Sequence, residues 1–345
     1  MGSSQKGRKA MGRPSVKNQV ETALKEINRI GYSKREAKQA GDSSNIHSIK
    51  YYRDVQGTAI RFAEFCREQY GIRSIYYLTE EHTKGFLQSL TGKGVSKGYL
   101  INVESHLKKL QNGMQKFSEK QGKPPVIFVG TRHIATDERE KPHDRSYSSL
   151  EIFEIGKHMS PNVHAAMQMS VHLGLRAKEV TNIRVEHIAE NPNGRLQIHI
   201  VEGRGVTKGG RFRDIPVPKE YESMLRQLIQ GKIPGQKILG MKEGTLRSGL
   251  KRACDKSGIN SAGWHGFRHT YARQRLEELL GGRKKEGREM IERMLNNRSC
   301  GRKIDSGVRA HEKELLNMVK QVINVVHHEL GHGNNRWGLV AVYMS

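Results

Sequence analysis

Cysteine is scarce in this sequence, and its three occurrences are isolated. Cys66, Cys254 and Cys300 form no C-x-x-C pair, so neither a zinc knuckle nor a disulfide framework is indicated. No apolar run approaches the roughly 18 residues of a membrane-spanning helix. The first fifteen residues are polar and basic and lack the apolar core of a secretory signal. These absences predict a protein of a reducing compartment without a membrane partner.

Acidic residues are also few relative to basic ones. The 345 residues include 60 lysines and arginines but only 35 aspartates and glutamates, which gives a formal net charge of +25. An excess of this size favours a polyanionic partner, and nucleic acid is the usual one. The carboxylates are not clustered in a pattern typical of a Mg²⁺ site. With 35% hydrophobic residues, the chain can bury a core, and its length fits two domains.

The pattern along the chain predicts four segments. Apolar residues at helical spacing indicate a small helical bundle in the first half, and a stretch rich in proline and mixed charge then separates it from a mixed region. The predicted segments are a basic flexible tail (1–18), a helical domain (19–120), a linker (121–146) and a second domain (147–345).

The second domain combines helices with one hairpin. Residues 195–201 and 211–217 alternate like strands, and the glycine-rich residues between them predict a β-hairpin. Helices are expected at about 219–230, 243–257 and 265–280, and a last one from about 308 to 330. The fold class predicted is therefore mainly α with a small β-hairpin sheet.

Five short segments contain the candidate catalytic residues. In chain order they are GLRAKEV with Arg176, the hairpin with Lys208, HGFRH with His265 and Arg268, HELGH with His332, and Tyr343 eleven residues after that histidine. Each pattern alone is common, so their order is the informative feature.

The residue types suit attack on a phosphodiester. Arginine binds two phosphate oxygens through its planar fork and stays charged, so two arginines can stabilise a phosphoryl transition state where other enzymes use a metal. A tyrosine can be the nucleophile, since nearby cations favour the phenolate and a phosphotyrosine splits one hard step into two. Lys208, at the hairpin tip, is the candidate general acid for the leaving hydroxyl. Its nearby competitors are Arg204, Arg211 and Arg213.

These motifs together resemble the tyrosine recombinase (phage integrase) family, over about residues 147–345. The resemblance implies a helical, SAM-like core-binding domain joined to a mixed α+β catalytic domain, with the two clamping duplex DNA. It also implies the site residues: Arg176, Lys208, His265, Arg268 and His332 as catalytic groups, Tyr343 as nucleophile and Glu179 as a supporting acid. Two features depart from the usual pattern: the spacing from His332 to Tyr343 is longer, and residues 281–320 look inserted, as in a long-insert subgroup of mobile-element integrases.

The activity that the resemblance implies is site-specific recombination. Tyr343 would form a 3′-phosphotyrosine and release a 5′-hydroxyl, for integration and excision of a mobile genetic element, with no metal or other cofactor. The expected assembly is a homotetramer on two double-stranded DNA sites, with accessory DNA-bending or directionality proteins as further partners. The expected location is the cytoplasm of a bacterial cell, at the nucleoid.

Two alternatives remain open at this level. His328, Glu329 and His332 fit the H-E-x-x-H pattern of a zinc metalloprotease helix, although no further His, Asp or Glu follows as a third ligand. The other alternative is a catalytically inactive DNA-binding accessory protein. If Tyr343 is not the nucleophile of an active enzyme, Tyr271 is the next candidate.

Overall fold

The structure is a computed structural model that describes residues 15–136, 143–201, 206 and 212–344. Contacts between Cα atoms divide the chain into two compact units, Met1–Lys141 and Pro142–Ser345. Across the described residues every helix is too short or too polar to span a bilayer.

The first unit is helical in its described part. Serine side chains cap the start of α1, α2, α3 and α5 by accepting a backbone N–H of the first turn, which satisfies a donor that the helix leaves free. The helices are α1 (Val16–Glu26), α2 (Lys34–Gln39), α3 (Ile49–Tyr70), α4 (Glu80–Thr91) and α5 (Lys97–Lys120). α1, α3 and α5 pack against one another around a core that contains Val20, Leu24 and Ile27, the residues whose spacing predicted a helix.

Part of the segment predicted as a linker, 121–146, packs onto this first unit. Phe128 and Val129 are buried in its core, and both of their backbone N–H groups donate to Oε1 of Gln111, at 2.9 and 2.7 Å. Residues 137–142 lie outside the described part. The linker boundaries therefore stay a prediction, and the packed residues show that the first unit continues beyond α5.

The second unit contains one three-stranded antiparallel sheet among its described residues. Its strands, in the order β1-β2-β3, are β1 (Ile188–Glu190), β2 (Leu196–Ile200) and β3 (Arg213–Pro216). Ile198 of β2 pairs with Ile188 on one side and with Ile215 on the other. Alternate residues of β2 are buried, as expected for a strand with one face on the core. β2 and β3 confirm the predicted hairpin strands, whereas β1 was not predicted.

Helices make up most of the rest of the described second unit, with loops between them. They are α6 (Ser149–Lys157), α7 (Pro161–Leu173), α8 (Ala177–Val180), α9 (Lys219–Ile229), α10 (Glu243–Ser257), α11 (His265–Leu280), α12 (Lys284–Ser299), α13 (Lys313–Glu329) and α14 (Trp337–Tyr343). The sheet and α6, α7, α9 and α10 enclose one core, while α11 to α14 enclose a second one. The mainly α fold with a small sheet is thus confirmed.

Two features at the end of the chain differ from the sequence expectation. The last long helix begins at Lys313 instead of about 308, because a separate 3₁₀ turn at Ala310–Glu312 precedes it. The charged stretch after α11 contains α12, whose Met290, Ile291 and Met294 are buried against the other helices. The apolar residues of α12 recur at helical spacing, but the many charges around them hid the pattern.

Candidate active site

The phenol of Tyr343 lies among histidines of its own chain. Its hydroxyl is 2.6 Å from Nε2 of His265, and its ring stacks on the ring of His269 with centroids 4.4 Å apart. The ring of His332 is 5.1 Å away, and the guanidinium carbon of Arg268 lies 5.9 Å from the phenol ring. α14 therefore brings Tyr343 to the predicted site residues in cis.

α11 supplies His265 and Arg268 from its first turns. Three residues apart on a helix, the two side chains share one side. Burial, followed by the positive charge of Arg268, lowers the pKa of His265 to about 3. The imidazole is therefore neutral at physiological pH, so one of its ring nitrogens is free to accept a proton.

Arg268 is fully buried and held on two sides. Its guanidinium donates to the backbone carbonyls of Gly174 and Leu330, and Nη2 lies 3.2 Å from Nε2 of His332. Burial, with the positive charge of Arg176 next, lowers the pKa of Arg268 to about 10, so the group stays charged near neutral pH. The two carbonyls fix the direction of the fork before any anion arrives.

Glu179 binds two arginines beneath the site and lies close enough to a third, Arg268, to be affected by its charge. Its Oε1 accepts from Nη1 of Arg176 at 2.9 Å, and its Oε2 accepts from the backbone N–H of Arg176 and from Nη2 of Arg213, both at 2.8 Å. Burial alone would raise the pKa of Glu179, but the charges of Arg213, Arg268 and Arg176 lower it below its ordinary value. Glu179 is therefore an ionised anchor that orients Arg176, which keeps 28% of its side chain exposed.

The turn at Gly331, which follows α13, positions His332 at the site. α13 ends at Glu329, and Gly331 adopts a φ of +63°, which L side chains rarely adopt. A Cβ on Gly331 would also lie only 2.6 Å from Nη1 of Arg213. The turn is closed by the backbone N–H of His332, which donates to the carbonyl of His327 at 2.7 Å. Burial, and then Arg268, lowers the pKa of His332 to about 2, so this ring is also neutral.

The predicted site residues are therefore found together, with one exception. Arg176, Glu179, His265, Arg268, His332 and Tyr343 surround one locus, and the charge of Arg176 is near enough to lower the pKa of Arg268, His265 and His332. Lys208 lies outside the described residues, as do its competitors Arg204 and Arg211. Its assignment stays a prediction.

Three residues of the locus were not assigned to it from the sequence. Arg213 was named only as a competitor of Lys208, yet it is buried against Glu179. His269 lies beside Tyr343, and its spacing of four residues from His265 on one helix is the signal that could have found it. His327 contacts His332 through a turn, and no sequence periodicity reports such a contact.

The second candidate nucleophile, Tyr271, is engaged elsewhere. Its hydroxyl donates to Oε2 of Glu329 at 2.7 Å, and burial together with Glu329 raises the pKa of Tyr271 well above its ordinary value. Glu329 also accepts three hydrogen bonds from Arg275, at 2.9 to 3.2 Å. Tyr271 is therefore a buried structural donor.

The metalloprotease reading of HELGH does not fit this geometry. That mechanism needs both histidines on one continuous helix and a free glutamate as base. Here the helix ends between them, His328 is exposed, and Glu329 is held by Tyr271 and Arg275. Within the described ranges no group of three or more His, Cys, Asp or Glu residues could hold a metal ion.

Known proteins resemble this chain in part of its sequence and in its fold. Residues 143–281 match the profile described as the phage integrase family, while no curated protein matches the chain by sequence. A lambda integrase dimer bound to a COC′ core site is 13% identical, with a TM-score of 0.56 over 93% of this chain and 76% of that one.

Two further solved structures share the fold. XerH site-specific recombinase bound to a palindromic difH substrate is 17% identical, with a TM-score of 0.55 over 95% of this chain and 86% of that one. The Tn1549 transposon integrase in complex with circular intermediate DNA is 12% identical, with a TM-score of 0.51 over 96% of each chain. The chain therefore resembles the phage integrase, or tyrosine recombinase, family in sequence over residues 143–281, and it shares the fold of these solved recombinases and integrases.

Proposed function

We propose that this protein is a site-specific DNA recombinase that cleaves and rejoins strands through a 3′-phosphotyrosine at Tyr343. The observation that carries the proposal is the position of the Tyr343 hydroxyl, 2.6 Å from a neutral His265 and beside the guanidinium of Arg268. A nucleophile within hydrogen-bond distance of a base, next to fixed positive charge, is the arrangement that covalent catalysis needs.

Cleavage begins with attack of the phenol oxygen on the scissile phosphorus. His265 accepts the phenol proton through Nε2, because its ring is neutral and lies in contact with the hydroxyl. The new P–O bond forms to Tyr343 as the bond to the 5′-oxygen breaks, and that oxygen leaves as a hydroxyl once it has gained a proton. Lys208 is the proposed donor of that proton. Attack by the 5′-hydroxyl of a partner strand reverses the step and rejoins the DNA.

The two arginines stabilise the charge that builds on the non-bridging oxygens. Each guanidinium at about 4 Å and an effective dielectric near 20 is worth on the order of 4 kcal/mol, so a pair can do the electrostatic work that a metal ion does elsewhere. Arg268 is pre-oriented by two backbone carbonyls, and Arg176 is pre-oriented by Glu179. His332 completes the anion site through Nε2.

The partner is double-stranded DNA. Lambda integrase has been solved as a dimer on a core site and as a tetramer on a Holliday junction, which supports a homotetramer of this chain on two DNA sites. The biological role proposed is integration and excision of a mobile genetic element, helped by accessory DNA-bending or directionality proteins. The location proposed with this role is the nucleoid, in the bacterial cytoplasm.

A nicked duplex tests the proposal. We would first select a binding site from a pool of random-sequence duplexes and then nick it next to the cleavage position, so that the released fragment diffuses away and the covalent adduct accumulates. The wild-type protein should form the adduct in the presence of EDTA. Tyr343→Phe should bind the selected duplex equally well and form none, whereas Tyr271→Phe should still form it. An adduct with Tyr343→Phe, or its loss in EDTA, would refute the proposal.

A further inference from the structure

His327 is a buried histidine that the mechanism above does not use. It lies on α13, fully buried, with Nδ1 only 3.1 Å from Nδ1 of His332 and the two rings 5.3 Å apart. The hydrogen bond from the backbone of His332 to the carbonyl of His327 holds the two residues together across the turn. The contact is therefore built into the end of α13.

This contact couples the tautomers of the two rings. Burial is the main cause that lowers the pKa of His327 to about 4 and that of His332 to about 2, so each neutral ring carries one proton. A hydrogen bond between the two Nδ1 atoms needs one donor and one acceptor. If His332 is protonated on Nδ1, His327 must be protonated on Nε2. If His332 is protonated on Nε2, His327 must be protonated on Nδ1.

In the absence of DNA, Arg268 selects the first of these two arrangements, in which His332 is protonated on Nδ1 and His327 on Nε2. Its Nη2 can only donate, so Nε2 of His332, 3.2 Å away, accepts and carries no proton. The proton of His332 is then on Nδ1, and that of His327 is on Nε2. This Nε2 is buried and has no hydrogen-bond partner among the described residues. The first arrangement therefore leaves a buried donor unsatisfied, which makes it costly.

A phosphate oxygen requires the second arrangement, in which His332 is protonated on Nε2 and His327 on Nδ1. Because such an oxygen only accepts, Nε2 of His332 must carry the proton that faces it, and Nδ1 of His332 must then accept from His327. We propose that His327 is a positioning residue that holds His332 in the tautomer able to donate to the scissile phosphate. This inference rests on the proposed function. In the change, the proton on Nδ1 of His332 passes to Nδ1 of His327, the proton on Nε2 of His327 leaves to water, and Nε2 of His332 takes a proton from water. Each ring has one proton before and after, and the net charge is unchanged.

The rate of adduct formation on the selected nicked duplex tests the proposal. His327→Leu removes the donor and should slow the single-turnover rate about 10- to 100-fold, the usual effect of losing a partner that orients a functional histidine. His327→Gln keeps a donor at this position and should stay within a few-fold of wild type. His328→Leu, at the exposed neighbouring position of α13, is the matched control and should not change the rate. Duplex affinity should be the same in all four proteins.

Two further measurements separate positioning from a structural role. In the His332→Ala background, His327→Leu should cause no additional loss of rate, because it acts through His332. The ¹⁵N shifts of the His332 ring, recorded in Tyr343→Phe bound to the duplex, should report Nε2–H, and His327→Leu should convert this to a mixture of tautomers.

The possible outcomes divide clearly. If wild type forms an adduct and His327→Leu forms it equally fast, the positioning role is overturned while the proposed function stands. The same conclusion follows if His327→Leu lowers the rate as much in the His332→Ala background as it does in wild type. An unchanged His332 tautomer in His327→Leu would overturn it too. If wild type forms no adduct on the selected duplex, the proposed function itself fails, and this inference fails with it.

Discussion

The hydroxyl of Tyr343 and Nε2 of His265 lie 2.6 Å apart, although 78 residues separate them in the chain. The contact places a tyrosine from the last described helix against the first residue of α11, within one polypeptide. The same phenol ring lies over the guanidinium of Arg268, which has no exposed surface. Because Arg268 is buried with the phenol ring beside it, we expect the phenol to shift when a phosphate reaches the guanidinium.

That shift should be visible in the fluorescence of Trp337. Trp337 begins the seven-residue helix that ends at Tyr343, so both residues should move together when DNA binds. In Trp264→Phe, which leaves Trp337 as the only tryptophan, the emission maximum should change on addition of the selected duplex. In Trp337→Phe, the remaining Trp264 is buried in the other core of the unit and should report no change. Constant Trp337 emission during adduct formation would show that α14 stays in place.

Loss of Arg213 should destabilise the second unit. Arg213→Met leaves the buried Glu179 with one less partner, and breaking a buried ion pair costs roughly 3–5 kcal/mol. Urea unfolding followed by tryptophan fluorescence measures this, since both tryptophans lie in the second unit. Arg226→Met is the control, because Arg226 pairs with Glu190 at the surface and exposed pairs contribute about 1 kcal/mol or less. Equal effects of the two substitutions would mean that Glu179 does not depend on Arg213.

Gly331 should tolerate no side chain. Gly331→Ala places a Cβ against Arg213 and forces a non-glycine residue to positive φ, which alone costs roughly 1–2 kcal/mol. The substitution should lower the free energy of unfolding and slow adduct formation, because the turn positions His332. Gly338→Ala, in α14 with nothing within 4 Å of the added Cβ, should be neutral or slightly stabilising. A Gly331→Ala protein with wild-type stability and rate would contradict the role of the turn.

Acid should destabilise the second unit through its neutral histidines. The folded state lowers the pKa of His265 to about 3, of His269 and His327 to about 4, and of His332 to about 2, mainly by burial. Unfolded histidines titrate near 6.5, so below that pH the unfolded chain binds more protons. The free energy of unfolding should fall by up to about 1.4 kcal/mol per pH unit for each such histidine between roughly pH 6 and 4. From these groups no change is expected above pH 7.

His327→Leu provides the comparison for that pH dependence. The variant lacks one of the four groups, so its free energy of unfolding should fall less steeply with acidification than that of wild type. His328→Leu, which removes an exposed histidine, should keep the wild-type slope. If both variants follow the wild-type curve, the buried histidines do not carry the acid sensitivity.

The sequence predicted the elements with regular periodicity and the site residues with ordered motifs. α10 and α11 have the expected bounds, because their apolar residues follow helical spacing and glycines stand at their ends. The locus of Arg176, His265, Arg268, His332 and Tyr343 was predicted from the order of the motifs. α14 was not predicted, since seven residues are too few for a helical pattern to stand out.

Contacts between distant segments of the chain could not be predicted from the sequence. The ion pair of Glu179 with Arg213 joins a short helix to a strand, and the pair of His327 with His332 depends on the turn at Gly331. Neither contact has a fixed spacing that a pattern could report. Such contacts arise only when tertiary packing brings the segments together, and here they orient the predicted catalytic residues.

The identity of the residue joined to DNA tests the central claim most directly. The adduct from the selected duplex would be digested with nuclease and then with trypsin, and the peptide that carries a nucleotide would be identified by mass spectrometry. The nucleotide should be on the peptide that follows Arg336 and contains Tyr343. A nucleotide on the peptide His269–Arg273, which contains Tyr271, or on any other tyrosine would contradict the account.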